Sequence, residues 1–223
     1  MTAYSTLQTY VARDLSDPNN GTFDVDAVKD FIQQGLAEIG RIAPQQFQED
    51  LTPVDEQLEY LLRSADFTST PVPEIRLVRV EVWTGTPSRF KFSIKSKAGQ
   101  PSRYSDSGWE VWNGTLEIPA WVEGWIDPTT DIIRVWGYSP HPPISADADV
   151  VPVSAELELA IRTFCRVEGL RRLTSSRVLF KQWQARSNNT DVTLAGLNSD
   201  LQVAEEQWRR LARALKVPEQ NPD

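Results

Sequence analysis

The sequence contains few of the side chains that usually carry catalysis or bind metals. One cysteine, Cys165, and one histidine, His141, occur among 223 residues, so an internal disulfide is excluded and no metal-ligand spacing is present. The phosphate-binding loop, the nucleophile elbow and the dinucleotide fingerprint are all missing. We therefore expect no enzymatic activity and no cofactor, and we interpret His141, which lies between two prolines, as a plain loop residue.

Long apolar runs are also missing. No stretch of 18 or more apolar residues occurs, whereas about 20 are needed to cross a bilayer, so we expect no membrane span. The first 14 residues lack a basic segment followed by an apolar one, so we expect no signal peptide. The single cysteine suits a reducing compartment.

Charge is unevenly distributed along the chain, whose net charge is −8. Residues 1–66 carry twelve acidic and four basic side chains, whereas residues 162–186 carry seven basic side chains against Glu168 alone. An acidic part and a basic part favour self-assembly by charge complementarity, which improves encounter and orientation more than affinity. The alternative is that both parts are solvated helix faces.

A helical hairpin is predicted at the start of the chain. Ser5 is a candidate N-cap, with Gln8 in the capping-box position. After this short helix, residues 17–21 (DPNNG) have turn chemistry, and Asp24 stands where the N-cap of a second helix belongs. Apolar residues then recur at helical spacing until a proline ends the helix, namely Val28, Phe31, Ile32, Leu36, Ile39 and Ile42.

A β region is predicted for residues 75–138, where apolar and polar residues alternate. The sequence Asn113-Gly114 is the strongest hairpin signal in the chain. Two shorter apolar runs, 47–51 and 58–62, are also interpreted as strands. Several short strands with regular turns are typical of an antiparallel sandwich or a small barrel.

The predicted β region holds six of the eight tryptophans: Trp83, Trp109, Trp112, Trp121, Trp125 and Trp136. One interpretation is that a β unit of about 65 residues needs bulky side chains to fill a thin core. The alternative is a binding surface, because exposed tryptophan rings contact sugars or partner proteins at little entropic cost. Glycoside hydrolysis is the one enzymatic function that the sequence suggests, and its candidate acids are Glu110, Glu117, Glu123 and Asp127. Acidic side chains at strand ends are, however, common on protein surfaces.

Helices are predicted again in the last third of the chain. Residues 139–153 are proline-rich and form an extended connector in this interpretation. Ser154 is the candidate N-cap of a long helix with a kink near Ser175-Ser176. A final helix from Leu194 to Leu215 has apolar residues at alternating spacings of three and four. Such a seam needs a facing helix, and the chain's own long helix is the first choice.

Together these patterns predict an α+β protein. We expect an antiparallel helical bundle, formed by the N-terminal hairpin and two C-terminal helices, with an inserted antiparallel β-sandwich or barrel module. The helical part comprises residues 1–66 and 140–223, and the inserted β module comprises residues 67–139.

Two groups of residues resemble the head-to-tail connector (adaptor) proteins of tailed bacteriophages. The first group forms a short helix, a Leu-x-Asp-Pro-Asn turn and an Ile-x-x-x-Leu-x-Glu-Ile helix, and it consists of Leu15, Asp17, Pro18, Asn19, Phe23, Ile32, Leu36, Glu38 and Ile39. The second group is a proline segment that leads into a helix, and it consists of Pro142, Pro143, Ile144, Asp147, Pro152 and Glu156. The inserted β module departs from the smaller, all-helical members of that family.

The resemblance implies a structural virion protein rather than an enzyme. Proteins of that family form a ring, usually twelve-fold, that is seated beneath the portal and lined by DNA. The partners implied are further copies of the chain, the portal protein and the next neck, head-completion or tail protein, with DNA passing through the lumen and no membrane. The implied location is the virion neck. The alternatives are another neck or tail-completion protein and a tryptophan-based carbohydrate- or receptor-binding module.

Two sets of site residues follow from the charge pattern and from this resemblance. At a subunit interface, we expect acidic side chains of one copy to face basic side chains of its neighbour, namely Asp24, Asp26, Asp30 and Glu38 against Arg171, Arg172 and Arg177. The final helix ends in cations, and a polar segment follows it. Portal binding is expected for Arg209, Arg213, Lys216, Val217, Pro218, Glu219, Gln220, Asn221, Pro222 and Asp223.

Overall fold

The computed structural model describes residues 2–62, 75–97, 108–112, 114–142, 144, 146–151, 153–186 and 191–216. Across these residues the protein is α+β, as expected, and its sheets are antiparallel. The described residues divide into two compact units. The helical unit lies within residues 2–43 and 141–216, and the β unit lies within residues 44–140.

Five α-helices share one apolar core in the helical unit. They are α1 (Tyr4–Asp14), α2 (Val25–Ile42), α3 (Ala155–Ser175), α4 (Arg177–Arg186) and α5 (Leu194–Leu215). The predicted N-terminal hairpin is confirmed, because α1 and α2 are in contact and the Asp24 carboxylate caps α2 by accepting a hydrogen bond from Ala27 N at 2.8 Å.

Helix α3 is the centre of this unit and contacts α1, α2, α4 and α5. Two glycines allow the close approach of its neighbours. A Cβ atom at Gly169 of α3 would overlap the side chain of Leu15, and one at Gly35 of α2 would lie 3.3 Å from Ile161 Cγ2. Because Leu15 and Ile161 are buried, a larger residue at either glycine would push α1 or α2 away from α3.

The turn between α1 and α2 is organised by one buried carboxylate. Asp17 is only 3% exposed. Its carboxylate accepts hydrogen bonds from the backbone N–H groups of Gly21, Thr22 and Phe23 at 3.0, 2.8 and 2.8 Å. Asn20 has a left-handed backbone conformation (φ 50°), which asparagine tolerates. The carboxylate thus satisfies three amide groups that the turn would otherwise leave without partners.

The start of α1 differs from the prediction. The N-cap is Ala3 rather than Ser5, and no side chain caps the helix. The backbone N–H of Ser5 donates to the carbonyl of Asp147 at 3.2 Å. Because the connector supplies this acceptor, a capping box is unnecessary, and Gln8 instead donates to the Asp147 carboxylate at 3.0 Å.

The C-terminal region has three helices where two were predicted. Helix α3 ends at Ser175, since Ser176 has an extended backbone (φ −122°, ψ 107°). The Ser176 hydroxyl accepts a hydrogen bond from Leu179 N at 3.3 Å, as an N-cap does at the start of a helix. The predicted kink is therefore a break between α3 and α4.

The final helix begins and ends as predicted. Thr193 is its N-cap and accepts a hydrogen bond from Gly196 N at 3.1 Å. Helix α5 packs against α3, as its apolar seam predicted, and the rings of Phe164 and Trp208 meet edge to face with centroids 5.3 Å apart.

The β unit contains seven described strands and one 3-10 helix, Ala120–Trp125. The strands are β1 (Gln45–Leu51), β2 (Glu59–Leu61), β3 (Arg76–Thr84), β4 (Arg89–Ile94), β5 (Glu110–Trp112), β6 (Thr115–Glu117) and β7 (Asp131–Ser139). One sheet has the order β1-β7-β3-β4 and the other has the order β2-β6-β5. The predicted hairpin of β5 and β6 is confirmed, with Gly114 at φ 75°; Asn113 lies outside the described residues.

Buried residues from both sheets form one core in the β unit. They include Val80, Val82 and Ile133 from the four-stranded sheet, Leu116 from the three-stranded sheet and Val122 from the 3-10 helix. The strands of the described residues do not close into a barrel.

The first predicted boundary of the β module, at residue 66, is wrong. Strand β1 pairs with β7 from Gln45↔Ser139 to Leu51↔Ile133, and β2 pairs with β6. The β unit therefore begins at Pro44. The two runs that were interpreted as strands, 47–51 and 58–62, are confirmed, but their partners lie far along the chain and the sequence alone does not show them.

His141 lies in a loop, as predicted, but its side chain is buried. It is 9% exposed, and its Nε2 lies 2.9 Å from the carbonyl oxygen of Ala43, to which it donates. No partner of its Nδ1 is found among the described residues. Burial lowers the pKa of His141 below its ordinary value, against the opposing effect of the Ala43 hydrogen bond. The side chain therefore stabilises the unit in its neutral form.

The first testable consequence concerns Asp17. Replacing Asp17 by Asn removes one acceptor oxygen and turns an NH₂ group towards backbone donors, so we expect a loss of about 2 kcal/mol from the helical unit. Asp24→Asn is the matched control, because Asn caps helices as well as Asp. The sole cysteine, Cys165, is fully buried in this unit, so its labelling by a thiol reagent reports local opening. We expect labelling about 30-fold faster in Asp17→Asn; equal rates in the two variants would show that the turn bonds are unimportant.

The second testable consequence concerns the pH dependence of the stability of the helical unit. A depressed pKa in the folded state means that the contribution of His141 is complete above its unfolded pKa of about 6.5 and is lost as pH falls towards the folded value. Urea midpoints followed by the helical circular-dichroism signal between pH 7.5 and 5.5 should fall more steeply for the natural protein than for His141→Gln, which retains a donor for Ala43. Parallel slopes for the two proteins would contradict this assignment.

Candidate functional site

The four acidic residues expected at a subunit interface lie on or beside α2. Asp24, Asp26 and Asp30 are exposed, and Asp24 is already used as the helix cap. Glu38 is half-buried and forms an ion pair with Arg41 at 3.3 Å. Within the part of the chain that is described, Asp26 and Asp30 form no ion pair, so their charges remain available at the surface.

The three basic residues of the expected interface differ in availability. Arg171 is bound within its own chain, to Glu168 at 2.6 Å and to Glu205 at 2.9 Å. The Arg172 guanidinium lies over the Phe31 ring at 4.4 Å. Arg177, the first residue of α4, is exposed. No ion pair joins the acidic set to the basic set within the described residues, and Arg177 is the best placed of the three for a neighbour.

The residues expected to bind the portal start on the last turns of α5. Arg209 lies 3.6 Å from Glu205 and 4.0 Å from Glu206, whereas Arg213 and Lys216 are exposed at the end of the helix. This places a local positive charge where the helix dipole is negative. The other expected residues, Val217, Pro218, Glu219, Gln220, Asn221, Pro222 and Asp223, lie outside the described residues.

The tryptophans of the β unit do not all fill its core. Trp109 is buried, but Trp112, Trp121 and Trp125 are 83%, 45% and 67% exposed. The core-filling interpretation is therefore wrong for these three residues. The physical reason for two of them is the 3-10 helix, whose buried side is provided by Val122, so that Trp121 and Trp125 are left at the surface.

Two of the exposed tryptophans line a groove, which we call the tryptophan groove. Its volume is about 740 Å³, and it is lined by Lys91, Phe92, Ser93, Trp121, Gly124 and Trp125. The rings of Phe92 and Trp121 are 6.1 Å apart. A Cβ atom at Gly124 would meet nothing within 4 Å, so the groove is open at this position.

An ion pair between a partly exposed lysine and a buried carboxylate holds the groove in place. Lys91 Nζ lies 2.6 Å from Asp131 Oδ2 and donates to the carbonyl of Trp125 at 3.3 Å. The same Asp131 oxygen accepts from Asp127 N at 2.8 Å. Asp131 is only 4% exposed, so Lys91 neutralises a carboxylate that would be costly to bury alone. These contacts join β4, β7 and the end of the 3-10 helix.

The acids considered for glycoside hydrolysis form no common site. Glu110 and Glu117 are opposite one another in the ladder of β5 and β6. A hydrogen bond from Lys97, at 2.7 Å, lowers the pKa of Glu110, and the hydrogen bond with Glu110 raises the pKa of Glu117. Asp127 instead binds Thr129 in a turn, and its pKa is lowered by those hydrogen bonds.

The described ranges contain neither a metal-binding cluster nor a membrane-spanning helix. No cluster of three or more His, Cys, Asp or Glu side chains in these ranges is arranged to hold a metal ion. None of the helices there is both long enough and apolar enough to cross a membrane. No family model and no curated protein sequence matches the chain. The function is therefore inferred from residue patterns and from the geometry of the two units.

The ion pair between Lys91 and Asp131 should contribute to the stability of the β unit. Lys91→Met leaves the Asp131 carboxylate buried without a cation, and we expect a loss of about 2 kcal/mol from the β unit, because Lys91 itself is about one-third exposed. Lys95→Met, at an exposed lysine just beyond β4, is the control and should cost less than about 0.5 kcal/mol.

A double-mutant cycle separates this pair from general effects of the substitution. Adding Asp131→Asn to Lys91→Met removes the unpaired charge, so part of the loss should be recovered, with a coupling of about 1 kcal/mol or more. Unfolding is followed by tryptophan fluorescence, since six of the eight tryptophans are in the β unit. Additive losses from the two substitutions would contradict a direct Lys91–Asp131 interaction.

Proposed function

We propose that the protein is a head-to-tail connector (adaptor) of a tailed bacteriophage, a structural protein and not an enzyme. In this proposal it forms a ring beneath the portal and extends the DNA channel through the virion neck. The helical unit is an antiparallel bundle that builds the ring, and the β unit is a sandwich inserted into it. Assembly takes place in the bacterial cytoplasm.

The observation that carries the proposal is that helix α2, which holds four residues of the first resemblance group, contacts two residues of the second group. The first group lies in the N-terminal hairpin and the second in the connector more than 100 residues later. Asp147 forms an ion pair with Lys29 of α2 at 3.0 Å, and the carbonyl of Ile144 accepts a hydrogen bond from Gln33. The helix that carries Ile32, Leu36 and Ile39 of the first group is thus joined to the segment that carries the second group.

The hairpin residues of the resemblance also have a common structural role. Leu15, Phe23, Ile32, Leu36 and Ile39 are all buried in the core of the helical unit. Asp17 closes the turn between the two helices. A pattern in which most members support one substructure is stronger support than the same residues scattered over the surface.

The charge distribution supports a ring. Asp26 and Asp30 are exposed on α2, and α4 carries three cations and no acid. An interface between the acidic surface of one copy and the basic surface of the next is heterologous, and such interfaces close into rings when the rotation between copies allows it. The family resemblance suggests twelve copies.

The basic end of α5 is the proposed portal contact. Arg209, Arg213 and Lys216 lie there, and the segment from Val217 to Asp223 continues the proposed contact. A weak contact that is repeated around a ring becomes strong through multivalency. The opposite side of the ring meets the next neck, head-completion or tail protein in this proposal, and DNA passes through the lumen without sequence-specific contacts.

A second candidate function is a carbohydrate- or receptor-binding module, and the exposed rings of Trp112, Trp121 and Trp125 favour it. Mass measurement separates the two functions. A connector should form a ring-sized complex when the purified protein is mixed with its portal protein, and it should bind no glycan on an array. A tight glycan signal that needs tryptophan, with no portal complex, would replace the proposed function by the second candidate.

The ring interface predicts a specific response to charge reversal and to salt. Exposed ion pairs contribute about 0–1 kcal/mol each, so assembly depends on many copies and should weaken between about 0.05 and 0.5 M salt. Asp26→Lys with Asp30→Lys should abolish ring formation, and adding Arg177→Glu with Lys181→Glu should restore it. Analytical ultracentrifugation measures both effects.

The control for charge reversal is Asp55→Lys with Glu56→Lys. Both residues are exposed in the β unit, and the double substitution changes the net charge by the same amount. It should leave assembly unchanged. Ring formation that does not depend on salt concentration, or that is lost equally in the control variant, would show that α2 and α4 do not form the interface.

A further inference from the structure

The three-stranded sheet of the β unit has one face on the core and one face at the surface. Tyr60, Leu116 and Val111 are cross-strand neighbours and belong to the core or pack against it. Because successive side chains of a strand point to opposite faces, the residues on either side of these three point away from the core. They form two rows across the sheet, which we call the two-row face: Glu59–Glu117–Glu110 and Leu61–Thr115–Trp112.

One row of this face is apolar and exposed. Leu61 is 48% exposed and Trp112 is 83% exposed, and Thr115 lies between them. Neighbouring strands are about 5 Å apart, so the backbones of Leu61 and Trp112 are separated by about 10 Å. A side chain of a partner can therefore lie over the smaller Thr115, with an apolar wall on each side. Tryptophan at such a position is typical of the residues that dominate binding at protein interfaces.

The other row is acidic and only partly neutralised. Lys97 lies 2.7 Å from Glu110 and 3.9 Å from Glu117, and no other cation of the described residues forms an ion pair with the row. Three carboxylates against one ammonium leave a net charge of −2. The hydrogen bond with Glu110 raises the pKa of Glu117, and the charge of Glu59 acts in the same direction. Like charges that face each other across strands are destabilising, so this row lacks a counter-charge.

We propose that the two-row face binds a basic segment of a different protein, with a cationic side chain over Glu117 and an apolar side chain between Leu61 and Trp112. The two rows are two residues apart along each strand, a distance of about 7 Å. Side chains two apart in a strand, or four apart on a helix, have about this separation. The surface belongs to the β unit and does not depend on the proposed connector function.

Charge complementarity determines the class of partner. A negative row attracts a cationic group and repels partners of its own sign, which include nucleic acids and anionic lipid head groups. A small cation would neutralise the carboxylates but would leave the rings and methyl groups of the second row in water. A protein segment that presents a cation beside an apolar side chain matches both rows. Arginine suits the acidic row, since its guanidinium has five donors in one plane and can bind neighbouring carboxylates together.

Self-pairing of this face would not supply the missing charge. In a two-fold symmetric dimer the same surface patch is used by both copies. Such a contact would bring a second set of three glutamates to the first and would add no cation beyond a second Lys97, which is already bound to its own Glu110. The partner that satisfies the acidic row therefore carries its own basic side chains.

Short random peptides displayed on phage test the proposal with the full-length protein. The library is depleted on the triple variant Glu59→Gln, Glu117→Gln, Trp112→Ala and then selected on the natural protein, and the enriched peptides are synthesised for calorimetry. We expect sequences in which a lysine or arginine lies near an apolar residue. Their binding should weaken about tenfold in Trp112→Ala. Trp125→Ala, at another exposed tryptophan of the β unit, is the control and should change binding less than twofold.

A second pair of variants measures the contribution of charge. Glu59→Gln with Glu117→Gln should weaken binding about tenfold at about 0.05 M salt and by a smaller factor at about 0.5 M, because salt screens exposed ion pairs. Asp55→Asn with Glu123→Gln removes the same charge from exposed positions of the β unit outside this sheet, and it should change binding less than twofold. All the substituted side chains are exposed, and urea midpoints confirm that each variant is folded.

The carboxyl group of Glu117 reports the contact directly. A cation over the acidic row favours the ionised carboxylate, so side-chain NMR should show a fall in the pKa of Glu117 when the peptide is added. The proposal is overturned if no enriched peptide carries a cation, if the control variants weaken binding equally, or if the pKa of Glu117 does not change. It is equally overturned if the natural protein associates with itself without peptide and Trp112→Ala abolishes that association, since a second copy would then cover the face.

Discussion

The carboxylate of Asp17 is the contact on which the helical unit most depends. It gathers three backbone N–H groups and so reverses the chain between α1 and α2. The turn then places Leu15 against Gly169 of α3, where no larger residue fits, and presents the Leu15 carbonyl to Trp183 Nε1 at 3.0 Å. One buried side chain therefore joins the hairpin to α3 and α4, and two of the residues that resemble the connector family, Leu15 and Asp17, lie in this joint.

The β unit interrupts the helical unit at one place. The chain leaves after Ala43 and returns at His141, and a hydrogen bond of 2.9 Å joins these two residues. Inside the β unit, Gln45 is paired with Ser139, so the two ends of the insertion begin as neighbouring strands. The first and last residues of the insertion are therefore neighbours in space. The apolar core of the helical unit contains no residue of the insertion. The ring and portal contacts that we propose belong to the helical unit.

Local patterns predicted the parts of the fold that local forces determine. The bounds of α5 and the cap of α2 follow from helical periodicity and from Asp24, and both were predictable. The start of α1 was not, because its first backbone N–H groups donate to carbonyls of a segment more than 140 residues away. The tryptophan groove was missed for a similar reason: it joins a strand to a 3-10 helix about 30 residues later, and such a short helix has no periodic signal. The sequence also cannot show that Arg171 is already paired within its own chain.

The central proposal, that this protein is a connector ring, requires that it occur in the virion of a tailed phage. Electron cryomicroscopy of DNA-filled heads of a tailed phage whose genome carries this sequence tests it most directly. The account predicts a ring of this chain immediately beneath the portal, with the basic end of α5 at the portal surface, its acidic α2 facing α4 of the adjacent copy, and DNA density in the lumen. A neck without this chain, or its density at another place in the virion such as the tail tip, would contradict the account.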